Sequence, residues 1–80
     1  SIENAIFELL AKRQRGASIC PSDAARAVYR DAAQWREAMP LVRAVAAQLA
    51  LAGRLVITQG GQPIDLGTAV GPIRLRLPKP

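Results

Sequence analysis

Apolar residues near the start of the chain recur at helical spacing. Ile2, Ile6, Leu9 and Leu10, with Ala5 between them, fall on one face, and Phe7 widens the stripe. This predicts a largely enclosed helix from Ile2 to about Arg15. Lys12, Arg13 and Arg15 would lie in its last turn, where cations complement the helix dipole, and Gly16 would end it. Ala17, Ser18 and Ile19 form a short extended stretch. Pro21 suits the first position of a second helix, where a missing N–H costs nothing, and Asp23 places a carboxylate in the same turn. That helix runs to about Tyr29. It turns Ala24, Ala25, Val28 and Tyr29 inward, and its small side chains allow a neighbouring element to come close.

Arg30 to Gln34 is a polar connector of the length that joins packed helices. Asp31 is placed to cap a short turn carrying Trp35, which is read as a core anchor between helices. Pro40 opens a third helix, along which Val42, Val45, Ala46, Leu49 and Ala52 repeat at helical spacing until Gly53 terminates it. The period then changes. Leu55 and Ile57 alternate with Arg54, Val56 and Thr58, as in a strand. Gly60 and Gly61 break that strand through turns with positive φ, and a loop follows from Gln62 to Gly71. Ile73, Leu75 and Leu77 alternate with Arg74 and Arg76, giving a second strand with one apolar and one basic face, ended by Pro78 and Pro80. The order is helix, short strand, helix, helix, strand, loop, strand. The expectation is an α+β fold: a winged helix-turn-helix of three helices and a small antiparallel β-hairpin wing, with residues 1–80 as a single domain. The rival is an α+β fragment of something larger.

Composition narrows the chemistry. Eighty residues supply one modest core and little material for a cleft. Cys20 is the single cysteine and there is no histidine, so an internal disulfide, a Cys/His zinc site and a thiol–imidazole pair are all excluded. Cys20 itself reads as a half-buried residue at the N-cap of the second helix. The carboxylates Glu3, Glu8, Asp23, Asp31, Glu37 and Asp65 are scattered without metal-ligand spacing. The glycines lie between strands, not between a strand and a helix as a phosphate cradle requires. No enzymatic activity, cofactor, metal or small-molecule substrate is expected. No apolar run reaches the ~18 residues of a membrane helix. Thiol usage suits a reducing, cytoplasmic setting. Ser1 leads straight into a helical pattern with no signal peptide, and the missing initiator Met fits a chain trimmed from, or part of, a longer one.

The segments Ile6-Phe7-Glu8-Leu9-Leu10, Ser18-Ile19-Cys20-Pro21-Ser22, Ala25-Arg26-Ala27, Trp35-Arg36, Met39-Pro40-Leu41-Val42-Arg43 and Gly71-Pro72-Ile73-Arg74-Leu75 occur together in order. In this the chain, from about Ile6 to Leu75, resembles a family of short bacterial proteins known as a domain of unknown function with winged-helix architecture. The resemblance implies the fold and a bacterial cytosolic origin. It implies no activity and assigns no functional residue.

The net charge of +5 and an isoelectric point near 10.7 favour polyanionic partners, though such charge also serves solubility. In a helix-turn-helix the second helix enters the major groove with its N-terminal residues at base edges. Here that is the helix opening near Pro40. With Val42, Val45, Ala46 and Leu49 inward, Arg43 and Gln48 face out, Arg43 where a reader of guanine belongs and Gln48 for adenine or phosphate. Arg36 precedes the helix, within reach of phosphate. Arg74 and Arg76 project from the last strand toward backbone or minor groove. The expected function is therefore a non-catalytic module for double-stranded DNA with a regulatory role. Against it, Ala44 and Ala47 leave the reading surface bare. The loop from Gly60 to Gly71 holds no Lys or Arg, and Asp65 sits in it. The alternative is a protein-interaction or self-association (dimerisation) module on the same scaffold.

Overall fold

The computed structural model describes residues 1–79, so Pro80, expected with Pro78 to end regular structure, lies outside the described residues. Ser1 caps the first helix, α1 (Ile2–Ala11), with its Oγ accepting from the Asn4 N–H at 3.2 Å. α1 stops a turn earlier than its sequence suggests. After Leu10 no large apolar side chain follows until Ile19, so further turns would bury nothing. The Lys12 and Arg13 N–H groups fall back on Leu9 and Leu10 oxygens, and Gly16 closes a separate turn in which Ala17 N–H donates to Gln14. The chain then enters β1 (Ser18–Ile19) and α2 (Pro21–Val28). Cys20 is the N-cap of α2. The Asp23 carboxylate accepts its N–H at 2.9 Å, the reciprocal half of a capping box.

Asp31 Oδ1 accepts from Ala33 and Gln34 N–H groups, as the connector pattern predicts. What it caps is a real helix, α3 (Ala32–Glu37), so the described residues hold four helices, not three. A single residue, Ala38, separates α3 from α4 (Met39–Leu51). α4 ends in a Schellman motif, with Gly53 N–H on Ala50 O and Arg54 N–H on Leu49 O. Gly53 adopts φ +74° there, which a Cβ would resist.

β2 (Val56–Gln59) turns through Gly60-Gly61 into β3 (Gln62–Pro63), and β4 (Arg74–Arg76) follows a 3-10 turn at Leu66–Thr68. Positive φ at both glycines gives the two-residue hairpin turn whose twist matches its strands. The sheet is four-stranded and antiparallel, in the order β1-β4-β2-β3, larger than a lone hairpin. The loop between β3 and β4 is pinned as well. Gln59 Nε2 donates to Val70 O at 2.6 Å and Pro72 O at 3.1 Å.

The core lies between α1, α2 and α4 on one side and the sheet on the other. Ile6, Ile19, Val42 and Leu75 are its largest fully enclosed side chains. Ile19, Leu75 and Ile57 sit abreast on three neighbouring strands. Ala24, Ala25 and Ala46 are fully buried, which lets α2 approach α1 and α4 closely. No helix is long and apolar enough to cross a membrane among the described residues.

Candidate nucleic-acid interface

α4 buries Val42, Ala46 and Leu49 as its spacing predicts, whereas Val45 is half-buried and Ala52, the exposed C-cap, lies beyond the inward stripe. Arg43 is half-buried on its N-terminal half, and no hydrogen bond or ion pair ties it among the described residues. Asp31 is committed to capping α3, and Glu37 forms no ion pair with Arg43. Gln48 is exposed one turn further on, but it shares a shallow depression with Glu3 of α1. That carboxylate is paired with Arg54 Nη1 at 2.7 Å.

Arg36 is exposed, with its guanidinium over the Trp35 ring at 5.2 Å. Arg26, on α2, covers the same ring at 4.5 Å. Trp35 is therefore a half-buried ring in contact with two cations, packed against the core rather than enclosed in it. Its position follows from α3, which is so short and solvated that none of its residues is buried. The two arginines hold their charge at the α2–α3 junction, immediately before α4. Sequence spacing brings Arg36 beside Trp35, but nothing local marks Arg26 as its partner.

Arg74 and Arg76 do lie across the sheet from the apolar row, but they are not equivalent. Arg74 is anchored: Nε donates to Ser18 Oγ, Nη2 to Ser18 O and Nη1 to Cys20 Sγ, each at 2.9 Å. It ties β4 to β1 and to the start of α2. Arg76 is half-buried and donates to Leu77 O at 3.2 Å. Replacing Arg74 with Ala should lower unfolding stability by roughly 1 kcal/mol, the net worth of a modest hydrogen-bond set at an exposed site. Urea denaturation checks this. An unchanged midpoint would mean the three contacts are exchanged for water at no cost.

Arg54 is a further cation that the strand pattern treats as ordinary. Its Nη1 meets Glu3 Oε1 at 2.7 Å and its guanidinium lies 4.9 Å from the Phe7 centroid, clasping α1. The tip of the β2–β3 hairpin offers Gly60, Gly61, Gln62 and Pro63, with no charge. Cys20 is a free thiol, and no group of three or more metal-ligating side chains gathers among the described residues.

Fold and surface together define a small, basic α+β domain whose uncommitted cations cluster near the α2–α3–α4 segment and around the end of α1. The chain belongs to the family described as Protein of unknown function (DUF3253), whose model matches residues 1–78. No curated protein gives a match.

Proposed function

We propose that this domain is a winged helix-turn-helix that binds double-stranded DNA, mainly through phosphates and with low sequence specificity, and performs no catalysis. The element order supports the fold reading. A short strand follows the first helix and returns to the sheet beside the last strand, and α2 and α4 take the places of the two helices of the motif, with α3 in the turn between them. β2, β3 and the loop to β4 would be the wing.

The observation that carries the functional reading is Arg43. It is a cation held by a regular helix, half-sheltered, with no anionic partner among the described residues. Its place near the N-terminal half of α4 is where such a motif meets DNA. Arg36 on α3 and Arg26 on α2 add charge on the neighbouring helices, their guanidiniums set by the Trp35 ring. Ala44 and Ala47 offer bases no hydrogen bonds, hence the low specificity. Of the sheet arginines, Arg74 is structural in this reading and Arg76 is a peripheral contact, while Gln48 is an exposed polar contact on the same helix as Arg43. In this reading the protein acts in the cytoplasm and regulates by occupying duplex DNA.

The test is a titration of labelled random-sequence duplex. Affinity should fall steeply with salt, with a log–log slope of about −0.9 per phosphate neutralised, as counterions are released. No binding at low salt would refute the reading. A second reading, protein interaction or dimerisation, draws on two apolar side chains of α4, Leu41 at 52% and Leu51 at 84% exposure. It predicts concentration-dependent mass in light scattering with little salt dependence, and no duplex binding.

A further inference from the structure

A second basic surface lies away from α4. The turn after α1 and the chain beyond β4 enclose an open groove of about 770 Å³. Leu10 and Leu77 contribute to its apolar floor, and Leu77 is 43% exposed. Arg13 and Arg15 stand on the segment that forms one wall, Arg76 and Lys79 on the segment that forms the other. Among the described residues no Asp or Glu lines it. Arg13 has a loose ion pair with Asp23 at 3.9 Å, whereas Arg15 and Lys79 have no partner among the described residues.

We infer that this groove docks an acidic, amphipathic segment of a partner protein, with an apolar side chain on the Leu10–Leu77 floor and carboxylates against the four flanking cations. The charge pattern selects this occupant. Cations distributed over two walls match several carboxylates along a chain better than one anionic headgroup. A second copy of this chain, with net charge +5, would bring like charge to like. A phosphate backbone has nothing to place on an apolar floor. The inference is independent of the duplex reading, since its residues, apart from the peripheral Arg76, lie outside that interface.

The probe is a short fluorescein-labelled peptide of aspartates and glutamates around a central leucine and phenylalanine, followed by anisotropy with the whole chain. Arg15→Glu and Arg30→Glu make equal charge changes on exposed, uncommitted arginines, one in the groove and one outside it. Arg15→Glu should weaken the peptide about fivefold or more and Arg30→Glu less than about twofold. Exchanging the leucine and phenylalanine of the peptide for serine should cost about tenfold, because the floor is then left without an apolar guest. Matching melting curves confirm that both variants fold. The inference is overturned by absence of binding, by equal losses in the two variants (general attraction to a basic protein), by indifference to the serine exchange, or by competitive displacement of the peptide by random-sequence duplex.

Discussion

Leu75→Ala should unfold at markedly lower denaturant than the parent, with a loss of about 2–5 kcal/mol. Leu75 is fully buried at the centre of β4, a strand paired on both edges. It faces Ile19 on β1 and Ile57 on β2, and the three form one row beneath the helices. Truncation leaves a hole bounded by strands on both sides, which hydrogen-bonded backbone cannot collapse to fill. At about 0.05–0.15 kcal/mol per residue the whole domain holds on the order of 4–12 kcal/mol. The loss is thus a large fraction of the total and should lower Tm by more than about 10 °C. A shift of only a few degrees would show that the row is not the packing centre.

Ala25→Leu should destabilise by about 1–3 kcal/mol through the opposite fault. Ala25 is fully buried on α2, which packs against both α1 and α4. Three more carbon atoms there must push one helix off the other or force side chains from their rotamers. Because α4 carries Arg43, the same strain should displace the candidate interface. Thermal melting checks the first effect. A melting temperature equal to the parent's would mean that the helices are not in the close contact their alanines allow.

These two sites also show what the sequence makes legible. Ala24, Ala25, Val42, Ala46 and Leu49 stand out because burial imposes a 3.6-residue period, and Leu75 because a half-buried strand alternates. Pro21 and Gly53 act through their own backbone and Asp31 through its carboxylate on nearby N–H groups, so their roles as helix starter, terminator and cap can be read locally. The end of α1 is less legible: basic residues suit a last turn, but only the absence of large apolar side chains between Leu10 and Ile19 says that the turn has nothing to pack on. β3 had a local signal in Gly60-Gly61, a two-residue hairpin pair, outweighed by the polar loop that follows. The candidate interface is legible only in part. The exposed side of Arg36 and the half-buried setting of Arg43 follow from their positions on the chain. The anchoring of Arg74 to Ser18 and Cys20 spans more than fifty residues of chain, as does the clasp of Arg54 on Glu3, and no spacing rule reaches that far. Nor does any local pattern place Arg26 over Trp35.

The proposed duplex binding depends most heavily on Arg26, Arg36 and Arg43. The most direct test is fluorescence anisotropy of labelled random-sequence duplex at low and near-physiological salt, comparing the parent with an Arg26→Ala, Arg36→Ala, Arg43→Ala variant whose folding is verified by its melting curve. The account predicts salt-sensitive binding by the parent, a loss of about tenfold or more in the variant, and a salt slope shallower by about 0.9 for each phosphate contact removed. A folded variant that binds duplex as well as the parent does, with the same salt slope, would contradict it.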